Sequence, residues 1–187
     1  MKDINKKIRE ARKKKRCTLA RLAVLSGLTK GYLSKIEHGY KVPSVAKLQT
    51  IAQVLGVDFS ELFNTETSHS SSTNSSIDIV RKKKRERTNT ASSSGYTYQA
   101  LVGSFKNRYM SPFLSRFKKG ISDYFTHDSE EFFFVLQGSL ELRYEGETHA
   151  LNEGDSVYFD ARKKHQFRNT RNEDALIVAV QFNYRRY

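Results

Sequence analysis

The sequence predicts two domains of opposite class: an all-α module of five short helices over residues 1–63 and an all-β domain over residues 96–187, joined by a linker at 64–95. Three observations predict it. Apolar residues recur at helical spacing as far as Phe63, and the composition then turns to Ser, Thr and charge. From Tyr96 onward apolar residues alternate instead, with aromatic side chains and turn glycines between the runs.

The first helix is read from Ile4, Ile8 and Ala11, which share one stripe ringed by Lys6, Lys7, Arg9, Lys13 and Lys14. Thr18 is a good N-cap for a second helix, with Leu19, Leu22 and Ala23 inward and Ser26–Gly27 as its end. Thr29 caps a third, holding Tyr32, Leu33 and Ile36 and stopped by His38–Gly39. Pro43–Ser44 opens a fourth, with Val45, Leu48, Ile51, Ala52 and Leu55 inward and Gly56 at its end. Asp58 caps a last turn holding Leu62 and Phe63.

Residues 64–95 are a different material. Two Ser/Thr-rich tracts flank the run RKKKRER at 81–87, a composition that buries too little apolar surface to offset its ordering entropy. The basic run is either a solubilising spacer or an added, salt-sensitive contact to phosphates.

In the β half the candidate strands are 112–118, 131–137, 140–145, 156–160, 164–168 and 175–182, with hairpin turns at Gln137–Gly138–Ser139 and Glu145–Gly146. With no helices left to cover the faces, these strands require a sandwich or a barrel. Phe132, Phe134, Leu136, Leu142 and Tyr144 against Val157, Phe159, Leu176, Val178 and Val180 are the expected core.

The formal charge of +13 is uneven. Residues 1–63 hold fourteen Lys and Arg against five Asp and Glu, whereas residues 96–187 hold thirteen against twelve. The excess lies in the helical half, as it does where that half alone meets a polyanion. A single cysteine, Cys17, permits no internal disulfide and no thiolate zinc site. No run approaches a membrane span or a secretion signal, so a soluble, cytoplasmic protein is expected.

A helix that docks by its apolar back can present small and polar side chains to base edges in the major groove. The third helix offers Thr29, Lys30, Ser34 and Lys35 outward, with Lys30 able to donate to guanine and Ser34 to a base or a phosphate. Arg12, Lys13 and Lys41 are candidate phosphate clamps, with Lys14 and Lys15 beside them. The stretch TLARLAVLSGLTKGYLSKIEHG, continued by P-S and L-x-x-I-A-x-x-L-G-V, resembles the phage-repressor-like (XRE) helix-turn-helix family over residues 18–63. The resemblance implies a five-helix DNA-binding domain, a recognition helix at about 29–37, and a structural role for Glu37. Two positions depart from it. Leu19 stands where many relatives have Gln, and Gly31 stands where relatives carry a long polar side chain. Gly31 reads no base but lets the backbone approach DNA, while Tyr32 either covers a thymine methyl or a sugar, or packs.

The β half carries His127-x-x-x-Glu131-x-x-x-x-x-x-Gly138, preceded by Gly120, and then Gly154-x-x-x-x-x-Asp160 and His165-x-x-x-Asn169. These spacings resemble the cupin family over roughly 96–182, which implies a double-stranded β-helix barrel. The family's metal ligands carry over to His127, Glu131 and His165, but the fourth falls on Phe125. The surviving set holds a divalent first-row metal with open positions, lines a polar pocket for an organic ligand, or is a degenerate structural core. Phe113, Phe125, Phe133 and Tyr158 are the expected apolar walls of that site.

The function expected from the sequence is a DNA-binding transcriptional regulator, a repressor, that answers to a small-molecule effector in the cupin barrel. It is expected to bind a palindromic operator in double-stranded DNA as a homodimer paired through the cupin domain, with no membrane partner. No nucleophile arrangement is evident and no catalytic residue is assigned, so the chain is expected not to be an enzyme. The rival readings are a DNA-tethered metalloenzyme and an architectural DNA-binding protein.

Overall fold

The computed structural model describes residues 2–57, 62, 77–84, 95–102, 105 and 108–183, in two compact units, one holding the α-helices and the other the strands. In the first, α1 (Lys2–Lys14), α2 (Leu19–Ser26), α3 (Lys30–Glu37) and α4 (Val45–Leu55) follow one another through short turns. A hydroxyl starts each of the last three: Thr18 Oγ1 accepts from the Arg21 amide at 3.1 Å, Thr29 Oγ1 from Tyr32 at 3.1 Å, and Ser44 Oγ from Lys47 at 3.4 Å. Gly27 (φ 66°) and Gly56 (φ 58°) close α2 and α4 in the left-handed conformation that a side chain disfavours. Ile8, Leu22, Leu33, Ile36, Leu48, Ile51 and Leu55 are buried in the core between the helices. Four α-helices, not five, are present among the described residues. Of the last turn expected at 58–63 only Leu62 is described, and it is buried; the rest lies outside the described residues, as does most of the expected linker. Within that linker Lys82–Lys84 form a single 3-10 turn. No described helix is long and apolar enough to cross a membrane.

The second unit contains β1 (Tyr96–Ala100), β2 (Met110–Phe117), β3 (Gly120–Ile121), β4 (Ser129–Gln137), β5 (Ser139–Tyr144), β6 (Glu147–Asn152), β7 (Ser156–Asp160), β8 (His165–Asn169) and β9 (Ala175–Asn183). They form a five-stranded sheet in the order β1-β2-β9-β4-β7 and a four-stranded sheet in the order β3-β8-β5-β6. The expected closed barrel is therefore corrected to two open sheets. Packing, rather than a continuous ladder, holds them together: Phe133 of the first sheet stacks on Phe167 of the second at 4.8 Å, and Phe117 meets Phe167 at 5.5 Å.

Each expected strand is found within two residues of its expected bounds, and β1, β3 and β6 add to them. β6 escapes a reading by alternation because only Leu151 of its six residues is buried. The turn at Glu145–Gly146 joins β5 to β6 with both residues at positive φ, as a tight hairpin requires. Gln137–Gly138–Ser139 is no hairpin, since it carries the chain from one sheet to the other. Gly138 is needed there: at φ 80° an added Cβ would stand 3.0 Å from the Asp174 carbonyl oxygen.

The expected core has the wrong phase on β4 and β9. Phe133, Val135, Ile177 and Ala179 point inward and are buried, while Phe132, Phe134, Val178 and Val180 lie on the outer face of the five-stranded sheet. Both faces of these strands are apolar, so alternation alone could not set the phase. Glu131 does set it, because the inward face is the one that carries the carboxylate.

Candidate functional site

Glu131 is placed by β4 and His165 by β8, so the two sheets deliver the carboxylate and one imidazole to the space between them. His127 arrives just before β4, its backbone amide held by the Ala161 carbonyl at 2.9 Å. The three side chains are 7%, 3% and 1% exposed for His127, Glu131 and His165, and one donor atom from each lies within 4.8 Å of the others. His127 Nε2 stands 3.4 Å from Glu131 Oε1 and His165 Nε2 stands 3.7 Å from Oε2.

The far sides of both imidazoles are occupied. His165 Nδ1 donates to the Lys163 carbonyl at 2.9 Å, which leaves its Nε2 lone pair facing the carboxylate, and His127 Nδ1 is 2.7 Å from Ser129 Oγ. This is the arrangement by which a metal-binding histidine is oriented from behind. Burial holds His127 neutral, its pKa lowered to about 3 with the neighbouring His165 adding to the effect, and burial lowers His165 as well. Burial also pushes Glu131 up to about 7, against the hydrogen bond that Gln181 Nε2 donates to Oε1. The His165 Nε2 lone pair, the His127 Nε2 and the Glu131 carboxylate thus converge on one buried point. The residues fit a divalent first-row metal.

Of the expected apolar walls, Phe125 lies 5.8 Å from the His165 ring, and Phe133 is buried on the inward face of β4. Phe113 is buried on β2, edge-on to Tyr98 at 5.9 Å. Tyr158 does not join them. It is 63% exposed on the outer face of β7, where its hydroxyl donates to Glu130. Ser129 and Gln181 belong to the site and are absent from the sequence reading. Gln181 leaves a signal: it continues the inward series Ile177, Ala179 as a polar residue directly opposite Glu131.

On the helical unit, Thr29, Lys30, Gly31 and Lys35 are exposed along α3, and Tyr32 and Ser34 are half-buried. Nothing lies within 4 Å of a Cβ added at Gly31. Lys13 and Lys41 are exposed. Arg12 is committed elsewhere: Nε and Nη2 donate to the two oxygens of Glu37 at 2.6 and 2.8 Å, and Nη1 donates to the Cys17 carbonyl at 2.8 Å. The Glu37 carboxylate, buried beside it, raises the Arg12 pKa further. Arg12 thus ties α1 to α3 within the domain.

Residues 8–62 match the helix-turn-helix family model and residues 115–181 the cupin domain model. Over 65 residues the chain is 46% identical to the HTH-type transcriptional regulator SlrR of Bacillus subtilis, a match that spans 34% of this chain and 43% of that protein. Over 165 residues it is 28% identical to the HTH-type transcriptional regulator SutR of Escherichia coli, covering 87% and 84% of the two chains. A solved HTH_3 family transcriptional regulator from Vibrio cholerae superposes with a TM-score of 0.71 at 20% identity, over 98% of this chain and 96% of that one. The hydroxypropylphosphonic acid epoxidase of S. wedmorenis shares the fold with a TM-score of 0.51 at 21% identity, over 96% and 97%. The expectation that the chain is not an enzyme is corrected on that ground. An enzyme is built on this same architecture, and the His127, Glu131 and His165 donor set is suited to metal chemistry.

Proposed function

This chain is an XRE-type DNA-binding helix-turn-helix regulator fused to a cupin domain, and we propose that it is a repressor whose DNA affinity answers to a small effector bound in that domain. A divalent first-row metal on His127, Glu131 and His165 is the effector's anchor. The observation that carries this reading is the convergence of two Nε2 atoms on one buried carboxylate, with both Nδ1 atoms held from behind. Bound there, such an ion supplies a Lewis acid with open positions for a polar effector group.

We assign DNA reading to residues 1–63 and sensing to 96–187, with 64–95 between them. Lys30 and Ser34 face base edges from α3, while Lys13, Lys35 and Lys41 meet phosphates. Two copies pair through the cupin domain on a palindromic operator. The apolar outer face of the five-stranded sheet supports that pairing: Met110, Phe132, Tyr158, Val180 and Phe182 wall a groove of about 400 Å³. Regulation requires the effector to bind the DNA-competent and incompetent states unequally.

Operator fragments selected by the full chain from a random duplex pool provide the test, by fluorescence anisotropy with and without Fe(II), Mn(II) or Zn(II). Wild-type affinity is expected to shift by about fivefold or more, and His165→Ala is expected not to respond. Equal affinity with every ion, alone and with candidate metabolites, overturns the sensor role.

The same donor set favours a second reading, catalysis at the metal. Two histidines and one carboxylate leave coordination positions open for substrate, as in non-heme iron oxygenases. Dioxygen consumption by Fe(II)-loaded protein, lost in His165→Ala, would establish it; loading without turnover of any candidate substrate would remove it.

A further inference from the structure

The rung of the five-stranded sheet that carries Glu131 is polar, where the neighbouring rung on the same face is apolar. Across β4, β9 and β2, Glu131 stands opposite Gln181, and Gln181 opposite Ser111, all three buried. The neighbouring rung is Phe133, Ala179 and Phe113, also buried. A carboxamide is costly to bury unless it is hydrogen-bonded, and Gln181 Nε2 donates to Glu131 Oε1. That bond makes the two carboxylate oxygens unequal. Each stands near one imidazole, Oε1 at 3.4 Å from His127 Nε2 and Oε2 at 3.7 Å from His165 Nε2, so the histidines alone do not choose between them. The amide does.

We propose that Gln181 is a positioning residue for the metal site: its amide engages Glu131 Oε1 and so leaves Oε2 as the oxygen that ligates a divalent ion. The inference rests on the metal reading above and deepens it, because it says how the carboxylate binds. A carboxylate that ligates through one oxygen fills one coordination position, and one that ligates through both fills two. Gln181 thus keeps open a position that Glu131 would otherwise take, and an effector or substrate needs such a position. An amide nitrogen has no lone pair to give a metal, so Gln181 orients the carboxylate without joining the ligand set. Ser129 and the Lys163 carbonyl stand behind the two imidazoles in the same way. The ladder makes the contact durable, since Gln181 and Glu131 lie directly opposite on paired strands and the backbone sets their separation.

The test is Co(II) binding to the full chain, followed by the visible absorption of the bound ion, with thermal unfolding as the folding control. Gln181→Met keeps an unbranched side chain and removes the donor. It is expected to bind Co(II) about 10–100-fold more weakly. At saturating Co(II) its absorption is expected to be weaker than that of wild type, because the ion gains a ligand atom from Glu131. A role in packing alone would lower the unfolding temperature and leave the absorption of the saturated protein unchanged, and that result overturns the proposal. Wild-type protein gives a second readout that needs no variant, the infrared difference between its Zn(II)-loaded and metal-free forms. A wide gap between the two carboxylate stretches, the mark of ligation through one oxygen, is expected; the narrow gap of two-oxygen ligation overturns the proposal. Wild-type protein that binds neither Co(II) nor Zn(II) overturns the metal reading itself. Wild-type binding with the same affinity and absorption in a folded Gln181→Met overturns the role of Gln181 alone.

Discussion

Among the described residues each unit of the molecule buries one carboxylate, and the two are treated in opposite ways. The Glu37 side chain is 2% exposed and meets a guanidinium that grips both of its oxygens. The Glu131 side chain is 3% exposed and meets two neutral imidazoles and an amide. Burial of a charge is tolerable only when it is paired. Glu37 is paired within the chain and is finished as a structural joint between α1 and α3. Glu131 has no cation beside it among the described residues, and burial raises its pKa. The helical unit spends its buried carboxylate on an internal ion pair, whereas the β unit gathers its buried carboxylate with two imidazoles that could hold a metal ion.

The largest expected effect breaks the finished pair. Arg12→Ala leaves Glu37 buried without its partner, and breaking a buried pair in this way costs about 3–5 kcal/mol. Thermal unfolding should show the helical unit losing stability while metal binding at His127, Glu131 and His165 is unchanged. If Arg12→Ala instead keeps native stability and loses only salt-dependent DNA affinity, Arg12 is a phosphate clamp and the contrast between the two carboxylates fails.

The next effect is read by pH at the unfinished site. Burial pushes Glu131 up to about 7 in the fold, from the ordinary carboxyl value of 4.5. A raised pKa favours the fold below 4.5, and that contribution is lost as pH rises through 7. His127 is depressed to about 3 from 6.5, so its contribution is present above 6.5 and is lost as pH falls toward 3. Metal-free protein should therefore lose stability in both directions, by up to about 1.4 kcal/mol per pH unit for each group. Metal binding must displace the Glu131 proton, so affinity should climb with pH and level off above about 7. Thermal unfolding across this range, with and without Zn(II), checks both limbs. A metal affinity independent of pH between 5 and 7 would mean that Glu131 is not a ligand.

This contrast was only partly legible in the sequence. The helix caps Thr18 and Thr29 could be read directly, because a hydroxyl three residues before an unpaired amide is a local device. The spacing of His127, Glu131 and His165 could be read through its resemblance to cupins, and the fold brings the three together. Their electrostatic state could not, since it depends on which atoms face them across the sheets. Gln181 is fifty residues from Glu131 in the chain and directly opposite it in the ladder. Nor could the fate of Arg12, one cation in a basic run whose selection is made by the position of Glu37 twenty-five residues later. The inward phase of β4 escaped alternation because Phe132, Phe133 and Phe134 are consecutive and equally apolar.

The smallest expected effect tests whether the helical unit works at its surface. Gly31 has an ordinary helical backbone, since it is not among the glycines of positive φ, and an added Cβ meets nothing within 4 Å. Gly31→Ala should therefore stabilise the helical unit, by about 0.5–1 kcal/mol, through the entropy that glycine otherwise loses on folding. A protein whose function lay in its interior would gain from such a change without loss. If the α3 backbone comes close to DNA at this position, the methyl group that the domain accepts is one that the duplex must accommodate. Operator affinity should then fall as unfolding temperature rises, the two readouts moving in opposite directions. Both rising together would show that position 31 faces solvent in the complex, and that the glycine there is not used for close approach.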